Sequence, residues 1–168
     1  MLIKFAVKNF RGFAERIEWD LSHPSNYSFN TYAVKDGVIK NGIIYGPNGS
    51  GKSNFALAIF DIEYHLSVKW KKADYLSNYV YIGNPNSPVE FEYVFKFGND
   101  ILEYRYSKNA SGMLIAESLV ANNKQVFKRE NDVFEIDDDQ FRIDATVKEN
   151  FKQNVNRVSV INFLTASF

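Results

Sequence analysis

The stretch Gly46-Pro47-Asn48-Gly49-Ser50-Gly51-Lys52-Ser53 decides the fold that we predict for this chain. It fits the pattern G-x-x-x-x-G-K-[ST], in which glycines let the backbone turn so that its N–H groups face phosphate oxygens. In this pattern the lysine, here Lys52, reaches the β and γ phosphates of a nucleotide, and the hydroxyl, here of Ser53, binds Mg²⁺. The sequence therefore predicts a phosphate-binding loop at residues 46–53.

The residues on both sides of this loop support the interpretation. Ile43-Ile44-Tyr45 is a continuous apolar run, which is typical of a strand buried on both faces, and it places Tyr45 in the core under the loop. After the loop, apolar residues recur at helical spacing, at Phe55, Ile59, Ile62 and Leu66. Neither proline nor glycine interrupts residues 52–66. We therefore expect strand, loop and helix in succession, with the dipole of the helix favouring an anion at its N-terminus.

The composition limits the class of protein. The chain has 168 residues, of which 45% are hydrophobic, so it is long enough to bury a core in one or two domains. Twenty basic residues balance twenty acidic ones, and no global charge points to nucleic acid or to a membrane surface. There is no cysteine, which excludes disulfides and thiolate metal sites. Because no apolar run reaches 18 residues and the first residues do not open a signal peptide, we expect a cytoplasmic protein.

Alternating apolar residues predict antiparallel strands in two parts of the chain. Residues 3–7 and 17–21 alternate on either side of the turn at residues 9–13, which predicts an N-terminal hairpin. The odd-numbered residues 89–97 and the even-numbered residues 102–106 predict a second hairpin, which turns at residues 98–100. Further short strands are expected at 113–120, 125–129 and 133–136, so the second part of the chain is an antiparallel meander.

Four other segments carry weaker signals. Residues 69–72 mix basic residues with a tryptophan, which we interpret as a solvated helix end rather than a nucleic-acid contact. A short polar helix is expected at 146–154, and another apolar element begins at 158–164. Asp137 and Asp138 follow an apolar stretch, as the acidic residue of a P-loop enzyme would. A central strand there would bury Glu135 unpaired, so we interpret residues 137–139 as a solvated turn and leave the catalytic residues unassigned.

Several of these motifs together resemble the heads of ABC-type ATPases, a group that includes the SMC, RecF and OLD proteins. The motifs are the Asn9-Phe10-Arg11-Gly12-Phe13 turn after a strand, the second strand, and the segment from Ile44 to Asn54. Within that group the chain looks most like the RloA-like ATPases of the AAA family, found beside restriction and abortive-infection systems. These share the long loop before the phosphate strand, a hairpin like residues 89–106, and an Ile-x-Glu-x-Leu stretch, here residues 115–119.

The resemblance implies an α/β fold, the N-terminal half of an ABC-type P-loop NTPase head, with a mixed sheet and an antiparallel β-meander lobe. Residues 1–66 would form the hairpin, the phosphate strand and the helix, residues 67–145 the β-rich lobe, and residues 146–168 the start of the remainder. In the family, that remainder carries the signature helix, the acidic strand end and the switch histidine. The chain is therefore expected to be a fragment that binds ATP and Mg²⁺ but needs the other half for hydrolysis.

The resemblance also implies site residues and partners. The nucleotide-binding residues would be Gly46, Pro47, Asn48, Gly49, Ser50, Gly51, Lys52, Ser53 and Asn54, joined by Arg11, whose motif reaches the nucleotide in related heads. Ser53 would be the metal ligand. The whole protein would form a head-to-head homodimer in a bacterial anti-phage or DNA-maintenance system, with an effector nuclease or DNA as a partner and no membrane. Two alternatives stay open: a nucleotide-gated interaction module without catalysis, and a small P-loop kinase.

Overall fold

The computed structural model describes residues 1–26, 28–67, 73–131, 133–137 and 159–162. Its elements, in chain order, are β1 (Leu2–Lys8), β2 (Ile17–Asp20), a short 3-10 helix (Thr31–Ala33), β3 (Val34–Lys35), β4 (Val38–Ile39), α1 (Lys52–Leu66), α2 (Ala73–Leu76), β5 (Val89–Phe97), β6 (Asp100–Lys108), β7 (Leu114–Ala121), β8 (Lys124–Glu130) and β9 (Val133–Ile136). The helix predicted after the phosphate loop is confirmed.

Seven strands form one sheet in the order β2-β1-β5-β6-β7-β8-β9, while β3 and β4 pair separately. Each neighbouring pair in the large sheet is antiparallel. The N-terminal hairpin and the meander are therefore both confirmed, and the pairing of β1 with β5 joins them into a single sheet. This arrangement follows from the period of two, since each strand places its apolar residues on the same face of the sheet.

The helix α1 packs across that apolar face. The ring of Phe55 lies edge-on to Phe5 of β1, with 5.7 Å between the ring centroids. From β5, the Tyr93 hydroxyl donates a hydrogen bond of 2.8 Å to the carbonyl of Ala58 in α1. The expected burial of the odd-numbered side chains of β5 is confirmed from Val89 through Tyr93, whereas Phe97, beside the turn, is 56% exposed.

The predicted strand at Ile43-Ile44-Tyr45 is wrong in this structure. These residues are irregular, and Ile43 and Tyr45 are 90% and 89% exposed, so Tyr45 does not pack in the core. A strand needs hydrogen-bonding neighbours, and none of the described strands lies beside this segment. The edge strand β2 is open on its outer side, but residues 43–45 form no strand beside it.

Several predictions fall partly or wholly outside the described residues. They are the solvated helix end at 69–72, the aspartates at 138 and 139, and the polar helix at 146–154. Of the apolar element predicted at 158–164, the structure describes residues 159–162, which include a helical turn whose Val160 is fully buried. In the part of the chain that is described, no helix is long and apolar enough to cross a membrane.

Candidate phosphate-binding site

The phosphate loop runs directly into the first turn of α1. Gly51 caps the helix with a φ of 92°, and Gly49 has a φ of 81°. Both values lie in the left-handed region, which a residue with a β-carbon enters only at a cost. The first N–H groups of a helix have no acceptor within the helix, and they carry the positive end of its dipole. The loop therefore ends at a position where an anion is stabilised.

The side chain of Lys52 lies back over the loop. Its ammonium group donates hydrogen bonds of 2.7 Å to the carbonyl of Gly46 and 2.8 Å to the carbonyl of Pro47. The loop is also closed by a bond of 3.3 Å from the Ser50 N–H to the Pro47 carbonyl. Both acceptors of Lys52 are neutral, so the positive charge stays at the helix N-terminus and remains uncompensated by them. An anionic group placed there gains a charge-assisted hydrogen bond.

The other predicted loop residues suit a phosphate and its metal ion. Residues 46–50, including Asn48, are exposed, and Ser53 is exposed in the first turn of α1. Ser53 is thus placed to offer its hydroxyl to a Mg²⁺ bound by the phosphates. Asn54 is half-buried, and its Nδ2 would lie 3.4 Å from a β-carbon added at Gly12. The residues present therefore fit a Mg²⁺-nucleotide at residues 46–53.

In this structure the side chain of Arg11 is bonded to α2. Its Nη2 donates a hydrogen bond of 2.8 Å to the carbonyl of Tyr75 in α2. The guanidinium carbon also lies 5.7 Å from the centre of the Tyr75 ring and 5.6 Å from that of Phe10. Arg11 thus fastens the N-terminal turn to α2, and its contact with a nucleotide stays a prediction. Its neighbour Gly12, in contrast, adjoins Asn54 beside the loop.

A buried polar cluster between α1 and the sheet was not predicted from the sequence. Its centre is Asp61 of α1, which accepts hydrogen bonds from one lysine and three tyrosines: Lys108 (2.5 Å), Tyr75 (2.6 Å), Tyr106 (2.8 Å) and Tyr79 (2.9 Å). Burial, and next the charge of Asp61, raise the pKa of Tyr79 and of Tyr106 well above the ordinary value. Both hydroxyls therefore stay protonated and donate to the carboxylate.

A second buried carboxylate, Glu117 of β7, continues the cluster. The Tyr104 hydroxyl donates to it at 2.5 Å, and the Val160 N–H donates at 2.9 Å. His65 of α1 pairs with the same Tyr104 hydroxyl at 2.7 Å, and Arg129 lies 3.4 Å from the carboxylate. Burial raises the pKa of Glu117, although Tyr104, Arg129 and the Val160 N–H oppose the shift. These contacts attach α1, and with it the phosphate loop, to the sheet and to the turn at 160–162.

One signal in the sequence points to this cluster. Ala58, Asp61 and His65 are spaced by three and four residues, so they share one face of α1, and that is its buried face. Two polar residues at core-facing positions need buried partners. The sequence does not say which partners, because those residues lie in other elements.

Comparison with models of known protein families gives no match for this chain, and comparison with curated proteins finds no significant similarity.

Proposed function

We propose that this chain binds the phosphates of ATP, together with Mg²⁺, at residues 46–53. One observation carries the proposal: the ammonium group of Lys52 lies over a loop of left-handed glycines at the start of α1. That arrangement combines a positive charge, N–H groups that have no acceptor within the helix, and a helix dipole at one point. Lys52 would bind the β and γ phosphates, and Ser53 would bind the metal ion.

The proposed context is the ATP-binding half of an ABC-type head of the RloA-like kind. The turn at residues 9–13 and the position of the loop at the start of α1 support it, together with the motifs in the sequence. In that context the protein would act in the cytoplasm of a bacterium, in anti-phage defence or DNA maintenance. Heads would pair head to head, with an effector nuclease or DNA as a partner, and hydrolysis would need the other half of the head.

The structure bears differently on the two alternatives, a small P-loop kinase and a nucleotide-gated interaction module without catalysis. A small P-loop kinase alternates strands and helices after its loop. Here β5 to β9 follow one another without a helix, and every described strand pair is antiparallel, which disfavours a kinase. A nucleotide-gated interaction module keeps the same phosphate site without turnover. Such a module cannot use the apolar face of β5 as its docking surface, because α1 covers that face.

Calorimetric titration of ATP and Mg²⁺ into the full chain tests the proposal. Removing one charge-assisted contact costs about 1.5–3 kcal/mol, so Lys52→Ala should weaken ATP binding roughly ten- to a hundred-fold. Lys35→Ala is the control, since Lys35 is an exposed lysine in β3, outside the loop. It should bind as the wild type does. Equal affinity of Lys52→Ala and Lys35→Ala would exclude the phosphate site.

A further inference from the structure

The turn at residues 9–13 is held in an unusual backbone conformation. Asn9 has a φ of 59° and Arg11 a φ of 50°, and neither is a glycine. Left-handed residues of this kind persist where the surroundings determine the backbone, and they cluster at functional sites. Here the Phe13 N–H binds the Phe10 carbonyl at 2.8 Å, and the Arg11 N–H binds the Tyr79 carbonyl at 3.0 Å. The turn is therefore fixed from two sides.

The side chain of Asn9 fixes it from a third side. Its Nδ2 lies within hydrogen-bond distance of the carbonyls of Asn84 (3.1 Å), Ser87 (2.8 Å) and Pro88 (3.2 Å). Asn9 is buried, so these bonds are shielded from water. These hydrogen bonds hold the turn against the loop before β5. The turn can therefore support residues that pack against its remaining side.

That remaining side faces the phosphate loop. A β-carbon added at Gly51 would lie 2.9 Å from Cε1 and 3.1 Å from Cζ of Phe13, so the edge of the Phe13 ring is packed against the residue that caps α1. One residue earlier, Gly12 adjoins the amide of Asn54 in the first turn. The ring thus occupies the space that any side chain at residue 51 would need.

We propose that Phe13 is a positioning residue for phosphate binding: its ring holds Gly51 in the left-handed conformation from which the N–H groups of residues 51–53 face a phosphate. The inference deepens the proposed function and rests on it. Phe13 does this through Gly51 and touches no phosphate itself. Because Gly51 precedes Lys52, displacement of Gly51 also moves the Cα atom of Lys52, from which the lysine side chain extends.

A neighbouring phenylalanine provides the control for a purely structural role. Phe10 belongs to the same turn but is fully buried, and its ring packs edge-on against Tyr79 (5.3 Å) and Phe91 (5.7 Å). Apart from the Arg11 guanidinium group, its described ring contacts are in the core, and none is with the loop. Phe10→Leu should therefore lower thermal stability and leave phosphate binding by the folded protein unchanged, whereas Phe13→Leu should weaken phosphate binding.

The test titrates ATP with Mg²⁺, and separately inorganic tripolyphosphate, into the full chain at a temperature where circular dichroism shows each variant to be folded. We expect Phe13→Leu to weaken both ligands about tenfold, the lower end of what losing a supporting residue costs at a metal site. Phe10→Leu should match the wild type. Binding by Phe13→Leu that equals the wild type, while Lys52→Ala loses affinity, overturns the inference alone. A wild type that binds neither ligand removes the proposed function, and the inference with it.

A pair of further variants tests the contact itself. Gly51→Ala should weaken tripolyphosphate binding because its methyl group meets the Phe13 ring and because alanine resists a positive φ. In a Phe13→Ala background the first of these effects disappears, so the same substitution should cost a smaller factor in affinity. Equal factors in the two backgrounds would show that residues 13 and 51 act independently, which contradicts the positioning role.

Discussion

Lys108 and Asp61 form an ion pair in the interior of the fold, with 2.5 Å between Nζ and Oδ2. The two side chains come from β6 and α1, and they are 2% and 0% exposed. Three tyrosine hydroxyls satisfy the other acceptor positions of Asp61. The pair therefore connects the helix that carries the phosphate loop with the middle of the sheet.

Removing both members of this pair should cost less than the sum of the two single removals. Lys108→Met leaves the carboxylate of Asp61 in the interior without its cation, which costs about 3–5 kcal/mol of unfolding free energy. The double variant Asp61→Leu with Lys108→Met removes the charge as well. We expect its loss, measured by urea unfolding, to be smaller than the sum of the two single losses. Additive losses would mean that the two groups do not interact.

The buried face of β5 provides a comparison within one strand. Phe91→Ala should destabilise the protein by about 3–5 kcal/mol, because it removes a ring that contacts Phe10, Tyr79 and Tyr106 in the core. Phe97→Ala, on the same face but 56% exposed, should stay within about 1 kcal/mol of the wild type. Thermal and urea unfolding of the two variants measure the difference. Similar losses would contradict the observed end of the core at the 98–100 turn.

The outer face of the sheet should make stability depend on pH through Glu92. Burial opposes the charge of this carboxylate, but the hydrogen bond from Arg105 (2.9 Å) and the nearby Arg16 and Lys4 outweigh it, and the pKa of Glu92 is lowered from its ordinary value of 4.5. A lowered folded-state pKa contributes stability above the unfolded-state pKa, and this contribution is lost as the pH falls through the folded-state value. The stability difference between wild type and Glu92→Gln should therefore be largest at about pH 7 and shrink towards about pH 3.

Urea unfolding of both proteins at the two pH values measures that change. Glu90→Gln is a suitable control, since Glu90 lies on the same strand and face but is exposed, and its only described ion pair, with Lys8, spans 3.8 Å. The unfolding free energy of Glu90→Gln should differ little from that of the wild type at both pH values, because most surface ion pairs contribute little to stability. If the stability difference between wild type and Glu92→Gln does not change with pH, the result contradicts a lowered pKa of Glu92.

We predict that the 168-residue chain alone does not turn ATP over. Transfer of a phosphoryl group to water needs charge neutralisation, a placed Mg²⁺ and a positioned water. Lys52 and Ser53 supply the first and part of the second. Asp137 follows β9, at the edge of the sheet, so it is not the acidic end of a central strand. Phosphate release should equal the background and the Lys52→Ala control.

ATP hydrolysis by the chain alone that depends on Lys52, at roughly 1 per second or faster, would contradict this prediction. Such a rate is ordinary for an enzyme. It would assign the missing acidic role to Asp137 or Asp138 and favour an enzyme that is complete within this chain.

The exposed apolar residues Ile43 and Tyr45 should in either case favour self-association, which sedimentation measurements can detect.

Local patterns were sufficient to predict much of the fold. The bounds of α1 follow from the glycine before Lys52 and from a continuous helical period, and β5 and β6 follow from strict alternation around Gly98. Each of these signals lies within a short stretch of the chain. The motif of the phosphate loop is equally local, and phosphate binding at residues 46–53 stays a prediction.

The errors concern properties that depend on distant residues. Apolar side chains at 43–45 indicate an extended segment, but whether it becomes a strand depends on a neighbour with free hydrogen-bonding groups. Similarly, Asp61 and Lys108 are 47 residues apart, and each occupies its own periodic element. Only the pairing of elements brings them together. The observed partner of Arg11, Tyr75, likewise lies 64 residues further along the chain, while the contact of Arg11 with a nucleotide stays a prediction.

The anchoring of α1 determines which parts of the site can act as a hinge. Asp61 and His65 fix the second half of the helix to the sheet, so rotation of α1 would break several buried bonds at once. Adjustment to a bound nucleotide is much less costly at Gly49, where an added β-carbon would meet nothing within 4 Å and glycine tolerates many conformations. We therefore expect the helix and sheet to move as one rigid body together with Gly51, with the flexing confined to the few residues that precede Gly51.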